Sequence, residues 1–221
     1  MRTLSMIVGL AIALLLCEAG RAAPVPAIPR SEPAPAGAYT LDKAHASMIF
    51  RIDHLGFSRF TGRMGSFDAK LWFDPVDPAK SKVEATIDPA SLASDNPPAK
   101  FMAMLHGPDW LDAAKFPLMT FRSRKIVRTG KSAARIEGDF TLHGVTRPLT
   151  LQATFNGGYA GNPYDPRGRI GFSAHGVVKR SAFGIKNGLP PPGTHWGVGD
   201  DVDVAIEAEF NGPPWRAPNK P

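Results

Sequence analysis

The chain has 221 residues, a formal net charge of +6, and 22 glycines with 22 prolines, and it is 43% hydrophobic and 21% charged. So much Gly and Pro excludes a bundle of long helices, because either residue inside a helix costs ~1 to ~3 kcal/mol against Ala, and the apolar share excludes a chain that stays unfolded. Lys and Arg are interleaved with acids and form no dense block, which argues against a nucleic-acid partner and for an ordinary solvated surface.

Taken in chain order, Arg2 supplies a positive start and Met6 to Leu16 an apolar run too short to span a bilayer, followed by the small-x-small pattern Gly20-Arg21-Ala22. Residues 1–22 therefore read as an export signal cut after Ala22, which places the mature protein in the periplasm. Cys17, the single cysteine, ends the run where a lipid-modified cysteine would stand, but Leu16 before it, in place of Gly, Ala or Ser, favours removal over anchoring. Once the signal is cut, no thiolate and no disulfide remain. Residues 23–38 carry Pro24, Pro26, Pro29, Pro33 and Pro35 and read as an extended spacer.

From Tyr39 the pattern changes to period two, with Met48, Phe50, Ile52 and His54 on one face of a half-buried strand. The alternation returns at 67–73, 83–87, 119–121, 134–142, 149–155, 170–174 and 202–210. Turn residues separate these runs at Asp74-Pro75, His143-Gly144, Asn156-Gly157-Gly158, Gly161-Asn162-Pro163 and Gly199-Asp200. Connections this short make neighbouring strands antiparallel. Only residues 98–116 break the rule: Pro98–Leu105 and Asp109–Lys115 predict one or two short helices, with Pro98 and Pro108 in first turns and Pro117 as a stop.

The predicted fold class is all-β: a closed antiparallel barrel of about eight strands over 39–210, with a short helical insertion near 98–116 and a tail at 211–221. Closure removes the exposed edges of an open sheet. Eight strands enclose either a side-chain core or one small ligand. The inner small residues Gly138, Ala69, Ala85, Ala153 and Ala174 fit both readings. Large loop residues, among them Leu55, Phe57, Phe60, Trp110, Leu111, Phe183 and Trp196, form a lid or plug a barrel end.

Chemistry-bearing motifs are few. The histidines at 45, 54, 106, 143, 175 and 195 have no metal-clip spacing, and no H-E-x-x-H or G-x-S-x-G occurs. Asp42, Asp139 and Asp201 fall near turns, so no catalytic residue and no metal ligand is assigned.

Several stretches resemble the YceI-like family of exported, lipocalin-like barrels. They run in order from Tyr39-Thr40-Leu41-Asp42 with His45, through Phe50-x-Ile52-x-His54 and Phe116-Pro117-x-x-Thr120-Phe121-x-Ser123, to Gly138-Asp139-Phe140-Thr141-Leu142-His143-Gly144-Val145-Thr146-x-Pro148-Leu149, Lys179-Arg180-Ser181-x-Phe183-Gly184 and Val198-Gly199-Asp200. The resemblance implies a barrel that binds a polyisoprenoid, quinone-like or acyl lipid in its interior, with no covalent cofactor and no chemistry of its own. It allows for transient contact with a membrane surface and for a homodimer. The implied ligand-binding residues are Phe50, Ile52, Phe67, Leu71, Phe121, Phe140, Leu142, Leu151, Phe172 and Phe183, with His54, Arg180 and His143 as polar candidates, although Leu-His-Gly-Val also fits a hairpin turn.

Two departures stand out. Phe101-Met102-Ala103-Met104-Leu105-His106 replaces a stretch that is more polar in the family, and Ala182 stands where an acid is frequent; both make the barrel mouth less charged. An enzyme acting on a lipid-like substrate in the same cavity, and a solid-core scaffolding barrel, are the alternatives.

Overall fold

The computed structural model describes residues 33–216. The expected signal, Cys17 and most of the expected spacer lie outside the described residues. Ten strands follow one another: β1 (Gly37–His54), β2 (Ser58–Met64), β3 (Phe67–Phe73), β4 (Lys82–Ile87), β5 (Leu92–Ala93), β6 (Met119–Arg128), β7 (Ala133–Leu142), β8 (Val145–Tyr159), β9 (Arg167–Lys179) and β10 (Val198–Pro214), with one helix, α1 (Phe101–His106). They pair in the order β10-β9-β8-β7-β6-β4-β3-β1-β2-β5, and β10 returns to pair with β1. Every pairing is antiparallel.

The barrel closes through eight strands because β1 is long enough to serve two neighbours in turn. Its start pairs with β3 (Thr40 opposite Lys70), its end pairs with β2 (Ile49 opposite Arg63), and its other edge pairs with β10. The predicted alternation matches these strands. At one end, called upper here, lie the β1–β2 hairpin, α1 and the β7–β8 turn; at the lower end lie the β3–β4 loop, the β6–β7 hairpin and the β8–β9 loop. The β7–β8 connection is the two-residue turn His143-Gly144 with φ of 53° and 73°, the paired positive values whose twist matches a hairpin. Gly144 is needed twice there, since a Cβ would also stand 2.5 Å from the Phe116 ring.

Three expectations need correction. Only the first helical segment forms, and it begins at Phe101 after Lys100 in the left-handed region, not at Pro98. Asp109–Lys115 is a chain of turns, because Gly107 leaves the helix in extended conformation and Asp112 has φ 44°, which an α-helix cannot continue. The spacer ends earlier than composition suggests: Ala34 is buried, the Tyr39 hydroxyl donates to Pro35 O at 2.8 Å, and β1 already starts at Gly37. The tail starts later, since β10 pairs as far as Pro214 opposite Arg167.

An ionic knot ties the start of β1 to the β8–β9 end of the barrel. Asp42 accepts from His45 Nδ1 at 3.1 Å, from Arg169 Nη1 at 2.9 Å and from the Ala44 N–H at 3.1 Å. These bonds, the one from His45 foremost, overcome burial and hold its pKa down at about 2 against 3.8. A depressed carboxylate contributes stability that is complete above its unfolded pKa and is lost as pH falls through the folded one. Asp42→Asn is therefore expected to remove about 1 kcal/mol of stability at neutral pH, the full shift being discounted because His45 is solvent-exposed, and to flatten the loss between pH 3.8 and about 2. Denaturant titrations across that range check it; an acid limb as steep as the wild type's contradicts it.

Candidate functional site

Inside the barrel is a cavity of 920 Å³ that reaches from the upper to the lower end, in the upper part of the ~300–1,000 Å³ range of small-molecule sites. Inward residues of all eight closing strands form its wall. Registered partners on neighbouring strands face the same side, so Ala134, Ala153 and Ala174 form a row across β7, β8 and β9 that continues into Ile206 and Met48. Ala69 and Ala85 make a second such pair across β3 and β4. All these residues line the cavity.

Aromatic rings gather toward the two ends. Above, Phe60 lies between Phe50 and Phe101, at centroid distances of 6.1 and 5.7 Å. Below, Phe155 stands 5.8 Å from Phe73 and 5.3 Å from Phe172, and Phe172 6.2 Å from Phe210. The inner glycines give these rings somewhere to lie. A Cβ at Gly62 would stand 2.5 Å from the Phe50 ring and one at Gly138 2.6 Å from the Phe121 ring. The glycines are thus filled by their neighbours, and the rings lie against the wall. The open volume itself is bounded by alanines together with these rings and aliphatic side chains.

Of the residues expected from the sequence, Phe50, Ile52, His54, Phe67, Leu71, Phe121, Phe140, Leu142, Leu151, Phe172 and Arg180 line the cavity. Phe183 does not; it is buried behind the wall, with its ring 5.5 Å from that of Phe140. The reason is local: Arg180–Phe183 is a 3-10 turn that ends at Gly184 with φ 85° and turns the ring into the core. His143 belongs to the hairpin turn, where it packs 4.6 Å from Phe116 with its Nε2 buried and unpartnered. His54 sits at the exposed rim of the upper mouth.

Arg180 is 3% exposed and, among the described residues, forms no ion pair with a carboxylate. Its Nε donates to Gly199 O at 2.7 Å, Nη1 to Ile185 O at 3.1 Å and Asn187 O at 2.7 Å, and Nη2 to Val198 O at 2.7 Å. The guanidinium also lies 5.2 Å from the Trp110 ring. Burial pushes its pKa down, with Asp200 pulling the other way. Asp200 itself is pushed up by burial, but hydrogen bonds from the Ser181 N–H and hydroxyl and from Lys179 hold it below the usual carboxylate range. Arg180 thus pins the segment between its own 3-10 turn and β10 over the upper end, as a structural anchor.

The large residues expected in loops divide, and one of them, Phe60, lies in strand β2. Phe60, Trp110 and Leu111 complete the upper wall, joined by Phe101, Met104 and Leu105 of the helical insertion. Phe57 and Trp196 stay outside, 79% and 71% exposed and 6.4 Å apart. Nothing in the sequence pattern marks the lower end, where Pro33, Ala34, Arg128, Lys131 and Ser132 also line the cavity. Their signal was weak, since a hairpin Arg-Thr-Gly-Lys-Ser reads as an ordinary polar turn.

The YceI-like domain model matches residues 39–210. The chain belongs to the YceI-like family. It is 36% identical over 207 residues to protein YceI of Escherichia coli O157:H7, covering 92% of this chain and 95% of that one. Among solved structures, the Campylobacter jejuni YCEI protein is 31% identical with a TM-score of 0.61, covering 79% of this chain and 98% of its own. A polyisoprenoid binding domain from Saccharophagus degradans shares the fold at 14% identity and a TM-score of 0.57, with the same coverage of 79% and 98%. In this YceI-like barrel the apolar Phe101, Met104 and Leu105 form the helical part of the mouth.

Proposed function

We propose that this protein binds one long isoprenoid-type lipid, a polyprenyl or quinone-like chain or a related acyl lipid, inside its barrel, and carries or shelters it in the periplasm without transforming it. The observation that carries this reading is the 920 Å³ end-to-end cavity walled by alanines, aliphatics and phenylalanines. Family membership and the polyisoprenoid-binding description of a neighbour with the same fold support it. Burial supplies the affinity: at ~0.8 kcal/mol per methylene-sized group, ten groups contribute roughly 8 kcal/mol before the cost of association.

The alternatives have less support. A catalytic reading needs His, Asp and Ser in reach of one another within the cavity, yet no Asp or Glu is among the described residues that line it. A solid scaffold needs a filled lumen. Lipids extracted from protein purified from its native source without detergent are expected to give a homologous series of long-chain isoprenoid masses. Repeated absence of any long-chain lipid would overturn the proposal.

A further inference from the structure

The charges on the cavity wall have one sign. Three lining residues carry a full charge, Arg128, Lys131 and Arg180, and all are cations. Arg180 is occupied by four backbone carbonyls at the upper end. Arg128 and Lys131 stand at the opposite end, on the β6–β7 hairpin, exposed and beside the hydroxyl-bearing Ser132.

Three other arginines on the same two strands have carboxylate partners: Arg122 with Glu84, Arg124 with Asp139 and Arg135 with Glu137. In the β3–β4 loop across the lower mouth, Lys80 pairs with Asp77. Among the described residues, Arg128 and Lys131 have no such partner within ion-pair distance. Arg128 is also held in place by its own turn, with Nε donating to Gly130 O at 2.9 Å and Nη2 to Lys131 O at 3.1 Å. That fixes the guanidinium plane and leaves Nη1 for another acceptor. A fixed guanidinium beside a mobile ammonium suits an oxyanion bearing several acceptor oxygens.

We propose that the lower mouth is a head-group site for an acidic amphiphile, in which Arg128 and Lys131 receive a phosphate or carboxylate while its apolar chain runs up the alanine-lined cavity. This rests on the lipid-binding reading above and fixes the ligand's direction within the barrel. The site recognises a head attached to a chain, because the cations stand at the mouth and apolar burial supplies most of the binding. Free inorganic phosphate lacks that burial.

The test compares a polyprenyl monophosphate with the uncharged polyprenol of equal length, on wild type and on Arg128→Gln/Lys131→Gln. Both positions are exposed hairpin sites, so the variant is expected to keep its fold, with circular dichroism as the check. The wild type is expected to prefer the phosphate by about tenfold at low salt, with the preference shrinking as salt rises. The double variant is expected to bind both lipids like the wild type binds polyprenol, and millimolar inorganic phosphate is expected not to compete. A preference that survives in the variant, or no preference in the wild type, overturns the head-group site while leaving the lipid-binding reading intact. Competition by inorganic phosphate alone overturns the requirement for a chain. Failure of the wild type to bind either lipid overturns both readings.

Discussion

Replacing Ala153 and Ala174 together by Phe is expected to abolish lipid binding while leaving the barrel folded. The two alanines are registered neighbours on β8 and β9, face the lumen and sit in the row that runs from Ala134 to Met48. Two phenyl rings placed there occupy the path of the chain and displace roughly six methylene-sized groups of ligand. At ~0.8 kcal/mol each this is about 5 kcal/mol, a loss of more than about a thousandfold in affinity. The new rings fill an existing void, so the overpacking penalty of a dense core does not apply in full. Titration of an apolar fluorescent probe with thermal unfolding in parallel measures both quantities, and Ala174→Leu is expected to fall between wild type and the double variant. Unchanged binding in a folded double variant places the ligand outside the barrel.

Arg180→Met is expected to lower stability by about 4 kcal/mol. The four carbonyls of Ile185, Asn187, Val198 and Gly199 lose their donor together, and each orphaned buried acceptor costs about 1 kcal/mol or more. For a chain of this size that lowers the unfolding midpoint by roughly 10 °C. Arg180→Lys recovers only part, because an ammonium cannot reproduce a planar fork that reaches four carbonyls. At a temperature where Arg180→Met remains folded, its lipid affinity is expected to stay within about threefold of wild type, a change of under ~1 kcal/mol. A variant as stable as wild type but poor in binding would make Arg180 a ligand contact and not an anchor.

The fold was readable because each closing strand buries one face, so period two appears wherever the barrel wall does. The wall residues followed from the same pattern, since any large apolar side chain on the inner face lines the lumen. Phe183 escaped that logic because it lies in a 3-10 turn, where alternation carries no information about direction. Arg180 was visible as a motif residue, but its four carbonyl partners come from a loop and a strand brought together only by folding. Gly62 and Gly138 show a subtler limit. The sequence permitted Gly138 to open space directly, and Gly62 carried no such signal, whereas the space over each is taken by a ring, Phe50 or Phe121. Arg128 and Lys131 were hidden for the opposite reason, as unremarkable turn residues whose place at a cavity mouth depends on the closure of strands far apart in sequence.

Native mass spectrometry of the protein, purified without detergent and then titrated with a polyprenyl lipid, tests most directly whether the lumen holds a chain. One lipid per barrel is expected, either already present or reached on titration, and the Ala153→Phe/Ala174→Phe variant is expected to show only the protein mass. A wild-type barrel that keeps its unliganded mass under excess lipid, or that takes up lipid equally well with its lumen plugged, would contradict the account.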